Sequence, residues 1–488
     1  MAIFLVLSYY TVIICIALFY LVVSFNPTLP WTVCSSLAAV NETFLKENKT
    51  CVPSGASTED FANPDNLTVV FSSAQYFERV VMNMKSDITD GIGVPNSTLM
   101  AALTVVWFLF YVCMRSGLRG QGKVSYFTAI VPYVILLTML IQGLTLEGSW
   151  NGIRILFTPD FSKLKEIQVW YAAITQSFYS LTIGFGCLGT FAKYNNFSHP
   201  TGRDALIISF ADCFTSILAG TVIFAVLGHL AFLKGTPDDL SSLAGGGFGF
   251  VFQIYPEVLA SFPVNNLFAV LFFLMLVTLG FGSGIGLLVT ITTTAYEAIP
   301  AVKDKTLLKM ICTLGLAIGL FYATPGGLAV LTVADDAFNR IILGLACLEV
   351  VAVSWVYGTS NIMRDLNFML DTKLNIYWRF CWGVFCPVIL PVIFVYMIVG
   401  IKLSGSNEVA HWFTVLLIAA ILAIVPGHFL YTLCQHQEGK RWWTRMFSCA
   451  RSPHFLDNLR AMFRPSADWG PVDGEDKARW KVRASVYH

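Results

Sequence analysis

Residues 176–194 read Gln-Ser-Phe-Tyr-Ser-Leu-Thr-Ile-Gly-Phe-Gly-Cys-Leu-Gly-Thr-Phe-Ala-Lys-Tyr. The stretch is long and apolar enough to cross a membrane, for which about 20 such residues suffice. Its middle holds Ser180, Thr182, Gly184 and Gly186, poor material for a continuous helix. In hydrocarbon, each freed backbone group costs several kcal/mol unless something satisfies it. Irregular backbone at that depth is therefore tolerated where it lines a cavity or binds something. Two readings are open at this point. One is a discontinuous helix whose unwound carbonyls and hydroxyls grip an ion and a solute. The other is a small-residue seam for helix packing.

The surrounding composition favours a membrane setting. The chain has 488 residues, of which 56% are hydrophobic and 12% charged, with a mean hydropathy of +0.67. Soluble chains carry about 25% charged residues. A net charge of +1 gives no electrostatic footprint for nucleic acid. Apolar runs recur throughout, so the fold class is an all-α polytopic membrane protein. Runs centred on 1–25, 99–114, 125–145, 170–194, 204–232, 264–296, 306–323, 339–358, 377–401 and 409–433 predict ten spans. Residues 1–434 then form one transmembrane domain, with 435–488 as its polar tail.

Residues 26–98 form a long polar loop with four glycosylation sequons, at Asn41, Asn48, Asn66 and Asn96. Four acceptors in one loop place it outside the cell. Asn96 lies close to the next span. The loop holds two cysteines, Cys34 and Cys51, which in an oxidising compartment predict a disulfide. Basic residues fall on alternate connections: Arg115, Arg119 and Lys123, then Arg203, then Lys303, Lys305 and Lys309, then Arg364, Lys373 and Arg379. The positive-inside rule makes these cytoplasmic, with both termini on that side. Loop 234–262, with Gly245-Gly246-Gly247 followed by Tyr255-Pro256-Glu257, reads either as a folded external lid or as a plain connector.

Polar groups inside spans mark function by default. Asp212 interrupts the apolar run 205–230, with Ser216 one turn along. The run 264–296 reads as broken at Gly280-Phe-Gly-Ser-Gly-Ile-Gly286. Its carbonyls and the Ser283 hydroxyl would suit an alkali cation; close helix packing is the alternative. Tyr9 and Tyr10, a mid-span pair, are placed to reach a polar cavity. The seven histidines show no ligand spacing, and no catalytic motif appears, so no enzyme activity is expected.

Several strings together resemble the neurotransmitter:sodium symporters, solute carrier family 6. They include Leu29-Pro30-Trp31-Thr32 ahead of Cys34, Gly122-Lys123-Val124, Pro132-Tyr133, Gly143-x-Thr145-Leu146-x-Gly148 and Ser180-x4-Phe185-Gly186. Tyr194-Asn195, Phe272-Phe-Leu-Met275, Ser354-Trp355-x-Tyr357-Gly358, Arg364-Asp365 and Asp468-Trp-Gly-Pro471 complete the set. The nutrient amino-acid transporter branch of insects is the nearest in pattern. The resemblance implies a 5+5 inverted-repeat fold with broken helices. It also implies that the chain corresponds to the third to twelfth of the family's twelve helices, lacking the first two.

Carried over by position, the resemblance implies sodium ligands at Ser180, Asp212, Leu279, Gly282 and Ser283. Asp212 stands where many members have Asn. It implies chloride ligands at Gln176, Ser180 and Ser216, with chloride dependence left open beside Asp212. Tyr10, Tyr179, Thr182, Phe185, Ser283 and Gly284 would line the substrate pocket, with Val6 one turn below Tyr10. Asp335 resembles an external-gate acid and Glu297 an internal one.

The expected function is sodium-coupled symport of amino acids or related small solutes across the plasma membrane. The expected partners are that solute, sodium as coupling ion, membrane lipid, and homo- or hetero-oligomers with full-length family members. The alternative is a transport-incompetent truncated member: a splice form, a gene-model fragment or a regulatory partner. On that alternative, the chain expressed alone shows little sodium-dependent uptake.

Overall fold

An apolar segment in lipid must satisfy its own backbone, which a helix does within itself. The described chain is accordingly helical over most of its length. The computed structural model describes residues 2–35, 49–54, 68–84, 91–115, 117–233, 235 and 249–400, with isolated positions beyond 400. The expected span 409–433, the tail 435–488, the sequons at Asn41, Asn48 and Asn66, and Gly245 to Gly247 lie outside the described residues. Among the described residues, eight helices are long and apolar enough to cross a membrane.

Two compact units are present. Unit 1 comprises Ile3–Ser177 and Ile208–Ala334; unit 2 comprises Phe178–Ile207 and Asp335–His488.

Unit 1 opens with α1 (Ala2–Val23). Its C-terminal end runs into a short turn, Pro30–Thr32. Beyond the turn, β1 (Lys49–Val52) and β2 (Thr68–Phe71) pair in parallel, with Cys51 opposite Val70. A disulfide joins Cys34 to Cys51, as the loop's cysteine content predicts. Strand β2 feeds α2 (Ser72–Gln75), which widens into a π turn, Tyr76–Val81. The fully buried Trp31 nails these pieces together. Its indole donates to the Pro256 carbonyl at 3.0 Å, and its own carbonyl accepts from Ser72 Oγ at 2.8 Å. Around it cluster Tyr20, Tyr76 and Phe273, with ring centroids 5.4, 6.3 and 5.9 Å from the indole. Burial pushes the Tyr76 phenol up to about 12.

The segment Phe250–Ile254 with α9 (Tyr255–Ala260) belongs to this cap. The Phe252 carbonyl accepts from Tyr20 Oη at 3.1 Å, and Tyr255 stacks on Phe272 at 4.3 Å. The described part of loop 234–262 is thus a folded element rather than a plain connector.

Below the cap lie α3 (Ser97–Arg115), α4 (Gly117–Leu144), α10 (Asn265–Ala298) and α11 (Asp304–Tyr322). Two of them begin on a local signal. Asn96 caps α3 by accepting from the Thr98 amide at 3.0 Å, and Asp304 sits in the first turn of α11, where negative charge complements the helix dipole. The 34 residues of α10 span about 51 Å at 1.5 Å per residue.

Here the structure corrects one reading. The run 264–296 is unbroken; α10 passes through Gly280–Gly286 without interruption. Its glycines are contact points for three other helices. A Cβ at Gly280 would meet Ile14 of α1 at 2.8 Å, one at Gly282 would meet Thr128 of α4 at 2.8 Å, and one at Gly284 would meet Phe110 of α3 at 2.5 Å. The entropic cost of glycine in a helix, up to about 1 kcal/mol each, is offset by this close approach. The packing alternative is the one realised for the helix backbone. The pair α3 and α11 uses the same device, with Trp107 and Leu103 seated against Gly315 and Gly319.

The remaining helices are α5 (Ser149–Phe157), α6 (Ile167–Ser180), α7 (Cys187–Ala192) and α8 (Thr201–Leu233). Then come α12 (Gly327–Val351), a π stretch Ala352–Gly358, and α13 (Thr359–Leu370). Last is α14 (Ile376–Phe380), which runs through a π turn at Cys381–Phe385 into α15 (Cys386–Gly400). The span expected at 339–358 begins earlier, at Gly327. Thr324-Pro325-Gly326 stops the preceding helix, and Asp335 and Asp336 do not interrupt the new one. Arg364-Asp365, expected in a connection, lies on α13.

Candidate functional site

The predicted break is present in unit 2. Helix α6 ends at Ser180 and α7 begins at Cys187, leaving six residues unwound. Three of them have left-handed backbone: Thr182 at φ 52°, Gly184 at 80° and Gly186 at 70°. Glycine adopts this region freely. A β-branched residue there is a genuine outlier, at a cost of roughly 1–2 kcal/mol. Such strain persists only where the surroundings over-determine it. Here the Thr182 amide donates to the Tyr179 carbonyl at 3.0 Å and the Ile183 amide to the Phe178 carbonyl at 3.1 Å. Phe185 N–H closes a further turn onto the Thr182 carbonyl at 3.4 Å. In none of these turns is the carbonyl of Leu181, Ile183 or Gly184 the acceptor. The result is a hydrogen-bonded loop of oxygen-bearing backbone between two helices, in the stretch expected to span the membrane.

The break packs on α12 within the same unit. A Cβ at Gly184 would lie 3.0 Å from Ala346 Cβ and 3.3 Å from the Ile342 carbonyl oxygen. Tyr179, expected to line a pocket, donates its hydroxyl to the Asn339 backbone carbonyl at 2.6 Å. Its ring meets Phe178 and Phe185 edge-on, at 5.7 and 6.5 Å. Phe185 is buried. One turn before Asn339 stand Asp335, half-buried, and Asp336, exposed. Asp336 faces Arg340 at 3.9 Å. The side chain of Ser180 is exposed.

Unit 1 brings together another pair of expected site residues. The Tyr10 phenol of α1 is hydrogen-bonded to the Ser283 hydroxyl of α10. Val6, one turn below Tyr10, is buried. Tyr9 does not share that environment; it is 4% exposed and meets the Tyr322 ring edge-on at 6.4 Å. Tyr322 is in turn hydrogen-bonded to Ser8. By sequence alone Tyr9 and Tyr10 form a mid-span pair. The helix turns them about 100° apart, so one meets Ser283 and the other the α11 terminus.

Asp212 and Ser216 lie on α8, Asp212 half-buried and Ser216 exposed. Gln176, on α6, is exposed. Leu279 and Gly282 lie on the unbroken α10, the first exposed and the second against Thr128. Gly284 is buried under Phe110, which closes that position rather than opening it to a solute. Glu297 is exposed at the last turn of α10. Asn96 donates Nδ2 to the Val81 carbonyl at 2.9 Å, the same nitrogen a glycan would use. Among the described residues, no cluster of three or more His, Cys, Asp or Glu could hold a metal ion.

What the sequence reading missed is the tie between the break and α12. The Tyr179 hydroxyl reaches 160 residues along the chain, and nothing local signals it.

A family model described as the sodium:neurotransmitter symporter family matches residues 1–436. A sodium-dependent nutrient amino acid transporter 1 of Drosophila grimshawi is 36% identical over 486 residues, covering 97% of this chain and 74% of the relative. Proteins of the same description from Drosophila mojavensis and Drosophila melanogaster are 36% and 34% identical. They cover 97% and 98% of this chain, and 73% and 75% of their own lengths are matched.

Proposed function

The chain belongs to the sodium:neurotransmitter symporter family, and we propose that it couples sodium to the uptake of amino acids or related small solutes by alternating access. It is a multi-pass membrane protein, and the plasma membrane, with both termini cytoplasmic, is the proposed location. The observation that carries the reading is the unwound segment 181–186 with its three left-handed residues. Backbone freed inside a span is kept where it binds something. The relatives' description as sodium-dependent amino acid transporters supports the choice of ion and solute.

Each residue then has a proposed role in its own unit. In unit 2, Ser180 is a sodium ligand, while Thr182 and Phe185 face the solute. Tyr179 contributes its ring to that wall and holds α12 through its hydroxyl. Asp335 serves as an external gate. In unit 1, Asp212 supplies anionic charge to sodium, and the Ser283 hydroxyl offers a hard oxygen. Tyr10, oriented by Ser283, presents its phenol to the solute. Glu297 serves as an internal gate. Gln176 and Ser216 in unit 1, and separately Ser180 in unit 2, are each proposed as chloride-contacting groups. Sodium and the solute are cargo; the free energy released as sodium moves down its electrochemical gradient is what drives the solute uphill.

The test is ion replacement. Cells expressing the protein are expected to accumulate a mixture of radiolabelled amino acids in sodium medium and not in choline medium. Equal accumulation in both would overturn sodium coupling. Protein at the surface that moves nothing in either medium would favour the transport-incompetent alternative.

A second experiment addresses Asp212. Asp212→Asn keeps the shape and removes the charge. Losing one charge-assisted contact is expected to raise the half-saturating sodium concentration about tenfold, the ratio that corresponds to about 1.4 kcal/mol. A sodium titration of uptake that superimposes on wild type would remove Asp212 from the ion site.

A further inference from the structure

Unit 2 contains a cavity that none of the roles above uses. It has a volume of about 460 Å³ and lies between the start of α13 and the helix that begins at Ile376. That is within the size range of small-ligand sites, about 300–1,000 Å³. One wall is polar: Thr359, Ser360 and Asn361. The opposite wall is apolar: Ile376, Phe380 and Val384. Arg379 stands on the same lining. Among the described residues no carboxylate lies within ion-pair distance of it.

The walls are built rather than incidental. Gly358, at φ 98°, turns the π stretch into α13 and so points residues 359–361 at the cavity. The Trp355 indole donates to the Gly383 carbonyl at 2.9 Å and ties the two walls together. Thr359 Oγ1 donates to the Ser354 carbonyl at 3.1 Å, and Asn361 Nδ2 to the Tyr357 carbonyl at 2.7 Å. The two hydrogen bonds fix those side chains.

The position is that of a membrane boundary. The polar run Asp371-Thr372-Lys373 immediately precedes the span 376–399. Tyr377, Trp378 and Trp382 form a contiguous aromatic group at the span's first turns, with centroids 5.4 and 5.2 Å apart. Aromatic belts mark the headgroup level.

We propose that this cavity holds the headgroup of a singly charged anionic phospholipid. The phosphodiester pairs with Arg379, whose fork matches phosphate geometry. The glycerol and headgroup face the polar wall, and the first acyl carbons lie along Ile376, Phe380 and Val384. One guanidinium balances one negative charge; a polyphosphorylated headgroup would leave charge unpaired in the cavity. Basic pockets between helices at this level are a recognised type of lipid site.

Native mass spectrometry of the purified full chain tests the assignment. Delipidated protein is titrated with phosphatidylglycerol, with phosphatidylcholine and with inorganic phosphate. Phosphatidylglycerol is expected to stay bound, and phosphatidylcholine not. Arg379→Gln is expected to weaken phosphatidylglycerol retention about tenfold. Val384→Trp fills the cavity from its apolar wall and is expected to do the same with Arg379 intact. Size-exclusion profiles identify any variant that has failed to fold, and the other variant then carries the test. Equal retention of both lipids overturns the proposal, as does unchanged retention in a folded variant. Displacement of the lipid by millimolar phosphate would assign the cavity to a free anion and overturn the lipid.

Discussion

Gly184→Val is expected to abolish sodium-dependent uptake while the protein still reaches the cell surface. Two independent costs meet at this position. Gly184 has φ 80°, where an L side chain costs roughly 1–2 kcal/mol and a β-branched one more. Even its Cβ would press on Ala346 at 3.0 Å and on Phe178 Cζ at 3.2 Å, before the two valine methyls are counted. Overpacking of that kind adds about 1–3 kcal/mol. The loop can relieve both only by changing its turns, and the turns aim the carbonyls of 181–184. A sum near 3 kcal/mol against the working geometry corresponds to more than about a hundredfold in its population. Gly189→Ala is the control. Its Cβ would meet nothing within 4 Å, and alanine is the better helix former, so uptake should match wild type. The measurement is uptake divided by surface-biotinylated protein. Gly184→Val at wild-type level would mean the break's shape does not matter to function.

The position of that break was readable because its residues carry their own backbone preferences. Gly184 and Gly186 are the types that populate left-handed backbone, and both do so. Composition could not choose between an ion-binding loop and a packing seam. It also could not say that Thr182 would be the strained residue. That depends on the amide hydrogen bonds of 182 and 183 closing back onto the end of α6, a property of the folded turn. The cysteine pairing in loop 26–98 was legible for a simpler reason: within that loop each cysteine had one candidate partner.

The glycine run in α10 shows the opposite case. Gly280, Gly282, Gly284 and Gly286 look like a helix breaker when read singly. Whether they break a helix depends on what approaches them, and Ile14, Thr128 and Phe110 lie far away in sequence. Asp335 and Asp336 fall outside the span expected at 339–358. The helix runs through them from Gly327. Ser283 was singled out among the glycines, and it does meet Tyr10. A hydroxyl isolated in an apolar face has few partners, so its chemistry survives the misreading of the backbone around it.

Gly284→Leu separates the two meanings of that run. If the glycines served as bare carbonyl ligands, a side chain at 284 would leave the oxygen in place and harm only transport. The packing geometry says otherwise. A Cβ at 284 would lie 2.5 Å from Phe110 Cζ and 3.2 Å from its Cε1. Phe110 has no free direction to yield; it is fully buried, stacks on Phe281 at 4.9 Å and meets Trp107 edge-on at 5.8 Å. The clash therefore falls on the α3–α10 contact, at a cost of about 1–3 kcal/mol or more. The yield of monodisperse protein in detergent is expected to fall several-fold, as losses of about 1–2 kcal/mol do in cells. Ser283→Ala, by contrast, removes one hydroxyl from an exposed position and should leave the yield unchanged. Phe110→Ala in the same chain as Gly284→Leu vacates the space the leucine needs, so the pair should recover much of the lost yield through direct coupling. Full yield from Gly284→Leu alone, or no recovery in the double variant, would return the run to the ligand reading.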